Sequence, residues 1–169
     1  MKILSTLLIF GLLVLTAGCQ HSPEVTKKVT YDYDVNFNFA TLKTYAWEPI
    51  STTAAGIDNF TANRIKKAVN AQLQAKGLTI TSDRPDILII TYGGADQMPT
   101  TAWRGPDAPL FYEKGRLQFA FIDPRTDKVV WSGKAEAKLN PNATPEDEDK
   151  VIEDVVQRIF EIFPPNPSS

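Results

Sequence analysis

The sequence predicts an α+β fold, a mixed and mainly antiparallel sheet of about five strands with two amphipathic helices packed on one face. Three observations point there. Apolar and polar residues alternate over short stretches, the pattern of half-buried strands. Two longer stretches repeat apolar residues at helical spacing. Their order is strand, strand, helix, three strands, helix, which fits one layer of sheet and one of helix.

Residues 1–18 lie outside that fold. Lys2 supplies a positive start, residues 3–15 form an apolar run, and Leu15-Thr16-Ala17-Gly18-Cys19 sets small residues before the sole cysteine. A membrane-spanning helix needs about 20 apolar residues, so this shorter stretch reads as a signal peptide cleaved before Cys19. Cys19 then carries the covalent lipid: diacylglycerol on its sulfur and an acyl chain, such as palmitate, on its amine. One chain binds a membrane reversibly, and several make a durable anchor. With no second cysteine the domain forms no internal disulfide and must rest on its core.

Cleavage removes 18 of the 169 residues and leaves 151, enough for a single domain. Lys2 is the only charge lost, so 17 cations face 20 acids, a net of −3. That balance argues against a nucleic-acid partner, which needs a basic stripe to neutralise phosphates. Residues 20–28 are polar and read as a lipidated tether with Cys19, residues 29–163 as the domain, and residues 164–169 as a frayed tail.

Within the domain, Val29, Tyr31, Tyr33, Val35, Phe37 and Phe39 alternate with polar residues and predict the first strand. Residues 43–47 predict a second. Residues 58–76 predict a helix with Ile65, Ala68, Val69 and Leu73 on its buried stripe, closed by Gly77 as a left-handed cap with Leu78 folding back. Residues 86–92 are apolar almost throughout, as in a central strand covered on both faces. Residues 116–123 and 128–139 predict a hairpin, with Val129, Trp131, Gly133, Ala135 and Ala137 inward. The last helix opens at Thr144-Pro145-Glu146-Asp147, a cap, a first-turn proline and acids against the dipole. Its predicted buried face is Val151, Ile152, Val155, Ile159, Ile162 and Phe163.

Tyr31-Asp32-Tyr33-Asp34, Thr44-Tyr45-Ala46-Trp47, Pro85-Asp86-Ile87-Leu88, Ile122-Asp123, Val130-Trp131-Ser132-Gly133 and Phe163-Pro164-Pro165 together resemble the envelope lipoproteins grouped as domain of unknown function 4136. The resemblance spans essentially the whole mature chain. It implies a lipobox, a small α+β domain and a Gram-negative envelope, with no assigned activity and no catalytic residue to carry over. In such a host Gln20 matters for sorting. Retention in the inner membrane is typically signalled by Asp at that position, so Gln20 directs the expectation to the periplasmic side of the outer membrane.

The inventory for catalysis is thin. The one histidine, His21, lies in the tether, where no pocket can hold a general base. No nucleophile elbow or phosphate loop occurs. The run Asp32-Tyr33-Asp34-Val35-Asn36 imitates the start of a calcium loop, but Phe37 and Lys43 stand where the geometry needs Gly and Glu. No metal or cofactor is therefore expected beyond the lipid.

Residues 93–115 form a long connection holding Met98, Trp103, Leu110, Phe111 and Tyr112 among prolines and glycines. Trp103, Arg104, Phe111 and Tyr112 are the candidate partner-binding residues. The alternative is that Trp103 covers the sheet face away from the helices. The sequence thus reads as a lipid-anchored accessory protein that binds envelope components. A carrier or sensor of a small apolar or lipid ligand is the second reading. A hydrolase built on a carboxylate pair, from Asp96, Asp107 and Glu113 or from Asp123 and Asp127, is the third.

Overall fold

In a computed structural model, residues 25–48, 57–99, 111–140 and 142–165 are described. One six-stranded mixed sheet and two α-helices make an α+β fold, one strand more than the sequence pattern predicts. In chain order the elements are β1 (Val25–Tyr33), β2 (Thr44–Trp47), α1 (Asn59–Ala75), β3 (Thr79–Ile80), β4 (Ile87–Pro99), β5 (Phe111–Asp123), β6 (Lys128–Leu139) and α2 (Pro145–Phe160). The strands lie in the order β1-β6-β5-β4-β2-β3. β2 runs parallel to both β3 and β4, and the remaining pairs are antiparallel. The added strand, β3, is only two residues long, too short for any periodicity to announce it.

β1 begins at Val25, four residues before the alternation predicts, and stops at Tyr33 instead of reaching Phe39. Its polar neighbours end it. Asp34 Oδ1 accepts from the Asn36 amide at 2.9 Å, and Asn38 Oδ1 caps a short 3-10 turn over Phe39–Thr41. Asn and Asp offer the backbone these local bonds and so override the period-two pattern. Val35, predicted inward, is 77% exposed.

α1 matches its predicted stripe: Ile65, Ala68, Val69 and Leu73 are its buried residues. Asp58 caps its start. At its end Gly77 takes φ +85, its amide donates to Gln74 O, and the Leu78 amide donates to Leu73 O. That pair of bonds is a Schellman closure, and it buries Leu78. β3 then lies along β2 before the chain crosses to β4.

The stretch predicted as a long connection is largely strand. β4 continues through Pro99 and β5 starts at Phe111, paired residue for residue from Leu88↔Ile122 to Pro99↔Phe111. Only residues 100–110 between them fall outside the described residues. Along β4, Ile87 and Ile89 are fully buried, while Leu88 and Ile90 on the other face are half-buried, so cover on that second face is partial.

β6 holds one register shift. Phe121 pairs with Trp131 and Ile122 with Val129, so Val130 is a bulge residue. The extra residue reverses parity. Val130 turns into the core, and Val129, predicted inward, is 55% exposed. α2 shows a related shift: Val155, Val156, Ile159 and Phe160 are its buried residues, whereas Val151, Ile152 and Ile162 pack only partly. Phe163 beyond the helix is buried, as predicted.

One hydrophobic cluster joins both helices to the sheet. Its centre is aromatic. The Trp131 ring lies 4.8 Å from Phe121, 5.1 Å from Phe163 and 6.0 Å from Phe160, mostly tilted or edge-on, the geometry ring quadrupoles favour. Arg64 of α1 pairs with Glu148 and Asp149 of α2, which ties the two helices at their entry ends.

Candidate functional site

The segments that carry the sequence resemblance lie far apart in the chain, and the fold sets them to work. Thr44-Tyr45-Ala46-Trp47 is β2, and Pro85-Asp86-Ile87-Leu88 opens β4 beside it. Asp86 Oδ2 accepts from the Lys43 amide, the Thr44 amide and the Thr44 hydroxyl, each at 2.9 Å. The Thr44 hydroxyl in turn accepts from the Asp86 amide at 3.1 Å. The Lys43 amide, followed by the Thr44 donors, holds the Asp86 carboxyl below the usual carboxylate range. This carboxylate welds the start of β2 to the start of β4.

Asp123 repeats the device at the β5–β6 turn. It is the buried charged residue among those described, 3% exposed, and accepts from the Arg125 amide at 2.9 Å and from Arg125 Nε at 3.1 Å. The Arg125 guanidinium, then its amide, keeps the Asp123 carboxyl ionised. Asp127 sits at φ 56 and donates its amide to Asp123 O, so both acids of the turn serve the turn.

Trp131 and Phe163 fill the core. Gly133 is required there, because a Cβ would stand 2.4 Å from the Trp131 ring and 2.7 Å from Ile159.

Of the acids named for a carboxylate pair, Asp123 and Asp127 lie in the β5–β6 turn, and Asp96 and Glu113 lie on β4 and β5. In the β4–β5 register Asp96 stands opposite Lys114 and Glu113 opposite Gln97, so the two acids occupy positions of opposite parity. Asp107 lies outside the described residues. Among the described residues no group of His, Cys, Asp and Glu is arranged to hold a metal ion.

Of the predicted site residues, Cys19, Gln20, Trp103 and Arg104 lie outside the described residues. Phe111 and Tyr112 begin β5, opposite Pro99 and Met98, at the far end of a two-stranded arm that outruns its neighbours. β6 ends at Leu139 opposite Glu113, so the last two pairs of the arm have no third strand beside them. The first residue of β1, Val25, pairs with Ala137, which pairs with Gly115, which pairs with Ala95. The chain therefore enters the sheet at the end where the arm projects.

The same end bears a cluster that sequence alternation alone leaves unassembled. Lys114 stands opposite Lys138, Arg116 opposite Glu136, and Gln118 opposite Lys134. All point away from the core, since Leu117, Phe119, Ala135 and Ala137 between them are buried. Lys114 Nζ reaches Glu136 at 2.8 Å, and that contact, with Lys134 and Arg116 adding to it, holds the Glu136 carboxyl below its ordinary value. Alternation assigns these residues to the solvent side; only the strand register brings them together.

Comparison with known proteins gives a family and a fold. The model of the family described as Domain of unknown function (DUF4136) matches residues 29–165. No curated protein matches the sequence. Among solved structures, a PDZ domain protein from Parabacteroides distasonis is 18% identical with a TM-score of 0.59 over 82% of this chain. This chain spans 35% of that one, and the likeness is one of fold. Looser overlays are a PelC dodecamer from Paraburkholderia phytofirmans and a minor lipoprotein from Acinetobacter baumannii. The first is 12% identical, TM-score 0.47, over 79% of this chain and 94% of that one. The second is 14% identical, TM-score 0.43, over 72% and 91%.

Proposed function

The chain belongs to the family of domain of unknown function 4136, and on that premise we propose that it is a lipid-anchored outer-membrane lipoprotein, facing the periplasm, that acts by binding envelope components and not by catalysis. One observation carries this reading: two acids within the family-like segments, Asp86 and Asp123, are spent on the fold. Asp86 holds two strands together and Asp123 holds a turn. Left for partners are the sequence feature ending at Cys19 and the arm formed by β4 and β5. No helix among the described residues is long and apolar enough to cross a membrane.

The reading takes both helices to cover one face of the sheet, so that the arm and the other face meet partners. In its support, Val69, Leu73, Ile159 and Phe160 from the two helices share a cluster with Ile89, Phe119 and Trp131 of the sheet. Phe111 and Tyr112 at the far end of the arm, with Trp103 and Arg104 between its two strands in the sequence, are the proposed contact residues.

Photocrosslinking from position 103 in living cells tests this. A discrete protein adduct supports the binding role and identifies the partner. A lipid adduct in place of a protein one makes lipid, and not an envelope protein, what position 103 meets. The absence of any adduct, while a probe at exposed Val35 reacts, removes position 103 from the interface.

A further inference from the structure

We propose that the basic end of the outer sheet face, bearing Lys114, Arg116, Lys134 and Lys138, lies against the anionic headgroups of the bilayer that holds Cys19. The inference rests on the lipid-anchor reading and adds to it an orientation and a surface.

Two independent observations converge. The first is charge. The chain as a whole is acidic, with 18 cations against 20 acids. Yet these four cations share one face over three neighbouring cross-strand rows, Lys114↔Lys138, Arg116↔Glu136 and Gln118↔Lys134. Glu136 lies among them, the Asp96 position faces Lys114 at the rim, and Asp32 stands one row further on, opposite Ser132. Arg116, Lys134 and Lys138 are exposed. The other end of the same face is different in kind, with Leu88, Ile90, Ile122 and Val129 outward.

The second is reach. Residues 19–24 lead from the lipidated cysteine to β1, and six residues span at most about 20 Å. β1 starts in the row Val25–Ala137–Gly115–Ala95. Every one of the four cations lies within three residues of that row, about 10 Å along the strand. The anchor thus brings the basic end, and not the apolar end, to the membrane. Anionic phospholipid attracts surface cations within about a Debye length, and each multiplies the docked population by about fivefold.

The test uses the full lipidated chain in vesicles of phosphatidylethanolamine with about a third phosphatidylglycerol, enough to give a negative surface. Cys19 is the sole native cysteine and is blocked by its lipid, so Gln118→Cys or Asp83→Cys accepts a single fluorescent donor. Position 118 lies in the basic patch. Position 83 lies in the turn before β4, at the opposite end of the sheet. Energy transfer to headgroup-labelled lipid is expected to be severalfold greater from 118 than from 83. The triple variant Arg116→Glu, Lys134→Glu, Lys138→Glu, or about 1 M salt, should abolish that excess while the protein still floats with the vesicles. The corresponding Gln variants should show an intermediate loss.

If the protein floats but shows no excess, or an excess that charge reversal leaves intact, the docking surface is wrong and the anchor stands. If salt or charge reversal removes flotation itself, the surface stands and the anchor reading fails. A chain that never floats overturns both.

Discussion

The hydroxyl of Tyr45 donates to Oδ1 of Asn70 at 2.9 Å, a side-chain bond between β2 and α1. Trp47 Nε1 donates to the same oxygen at 3.1 Å, and the Lys66 ammonium sits 5.6 Å above the Trp47 ring. Tyr45 is fully buried, and burial raises the pKa of its hydroxyl, which therefore remains a donor. Asn70 thus fixes the helix to the strand that follows β4 in the sheet order. Asn70→Leu removes the shared acceptor and leaves two donors without it. Urea unfolding should show a loss of about 2 kcal/mol, against about 1 kcal/mol for Tyr45→Phe. Adding Tyr45→Phe to Asn70→Leu should recover part of the loss. Strict additivity would mean that the bond couples nothing.

Asp58 governs the start of α1. Its Oδ1 accepts from the amides of Phe60 at 2.8 Å and Thr61 at 3.0 Å, and its Oδ2 from the Thr61 hydroxyl at 2.6 Å. Asp58→Ala should cost about 1 kcal/mol, and Asp58→Ser only a few tenths, because serine still caps. Thermal unfolding of the two variants separates these outcomes. Equal losses would assign the effect to charge alone.

Gly133→Ala tests the packing of the aromatic centre. The added methyl meets Trp131 at 2.4 Å and Ile159 at 2.7 Å, in an interior with no slack. A loss of about 1–3 kcal/mol is expected from overpacking, together with an altered Trp131 near-ultraviolet signal. Ile159→Ala in the same chain should relieve little, because the indole contact remains. A neutral Gly133→Ala would show that Trp131 moves freely.

Periodicity made α1 legible, since its stripe of Ile65, Ala68, Val69 and Leu73 and its Gly77 closure follow from spacing and backbone conformation alone. It failed where a local polar bond or a bulge intervened. Asp34 and Asn38 ended β1 early, and Val130 reversed the parity of Val129. It failed differently at residues 93–99 and 111–115, whose glycines and proline resemble a loop although the two segments pair along their length. Pairing is a long-range property, and so is the cluster of Lys114, Arg116, Lys134 and Lys138: each residue is visible, and their neighbourhood is not. Phe160 escaped for the opposite reason, being one turn from Val156 on a helix whose apolar residues suit more than one stripe.

Acid sensitivity should report on Asp123. Its carboxylate is buried, and Arg125 holds its pKa below the ordinary value. Above about pH 4, where an unfolded Asp is also ionised, its contribution is complete. As pH falls below that point the unfolded chain takes up a proton that the native carboxylate still refuses. Stability is lost until the folded pKa is reached. Asp123→Asn should therefore lower stability at neutral pH, by about 1–3 kcal/mol for a buried charged hydrogen-bonding group. It should also make the fall between pH 4 and lower values shallower. Asp58, Asp86 and Asp147 are depressed for similar reasons and remain in the variant, so the slope diminishes without vanishing. Arg125 is 81% exposed, so salt should narrow the difference between the two proteins. Urea unfolding at a series of pH values measures the slope directly. An unchanged slope in Asp123→Asn would show that Arg125 binds the turn backbone and leaves the carboxylate at its ordinary pKa.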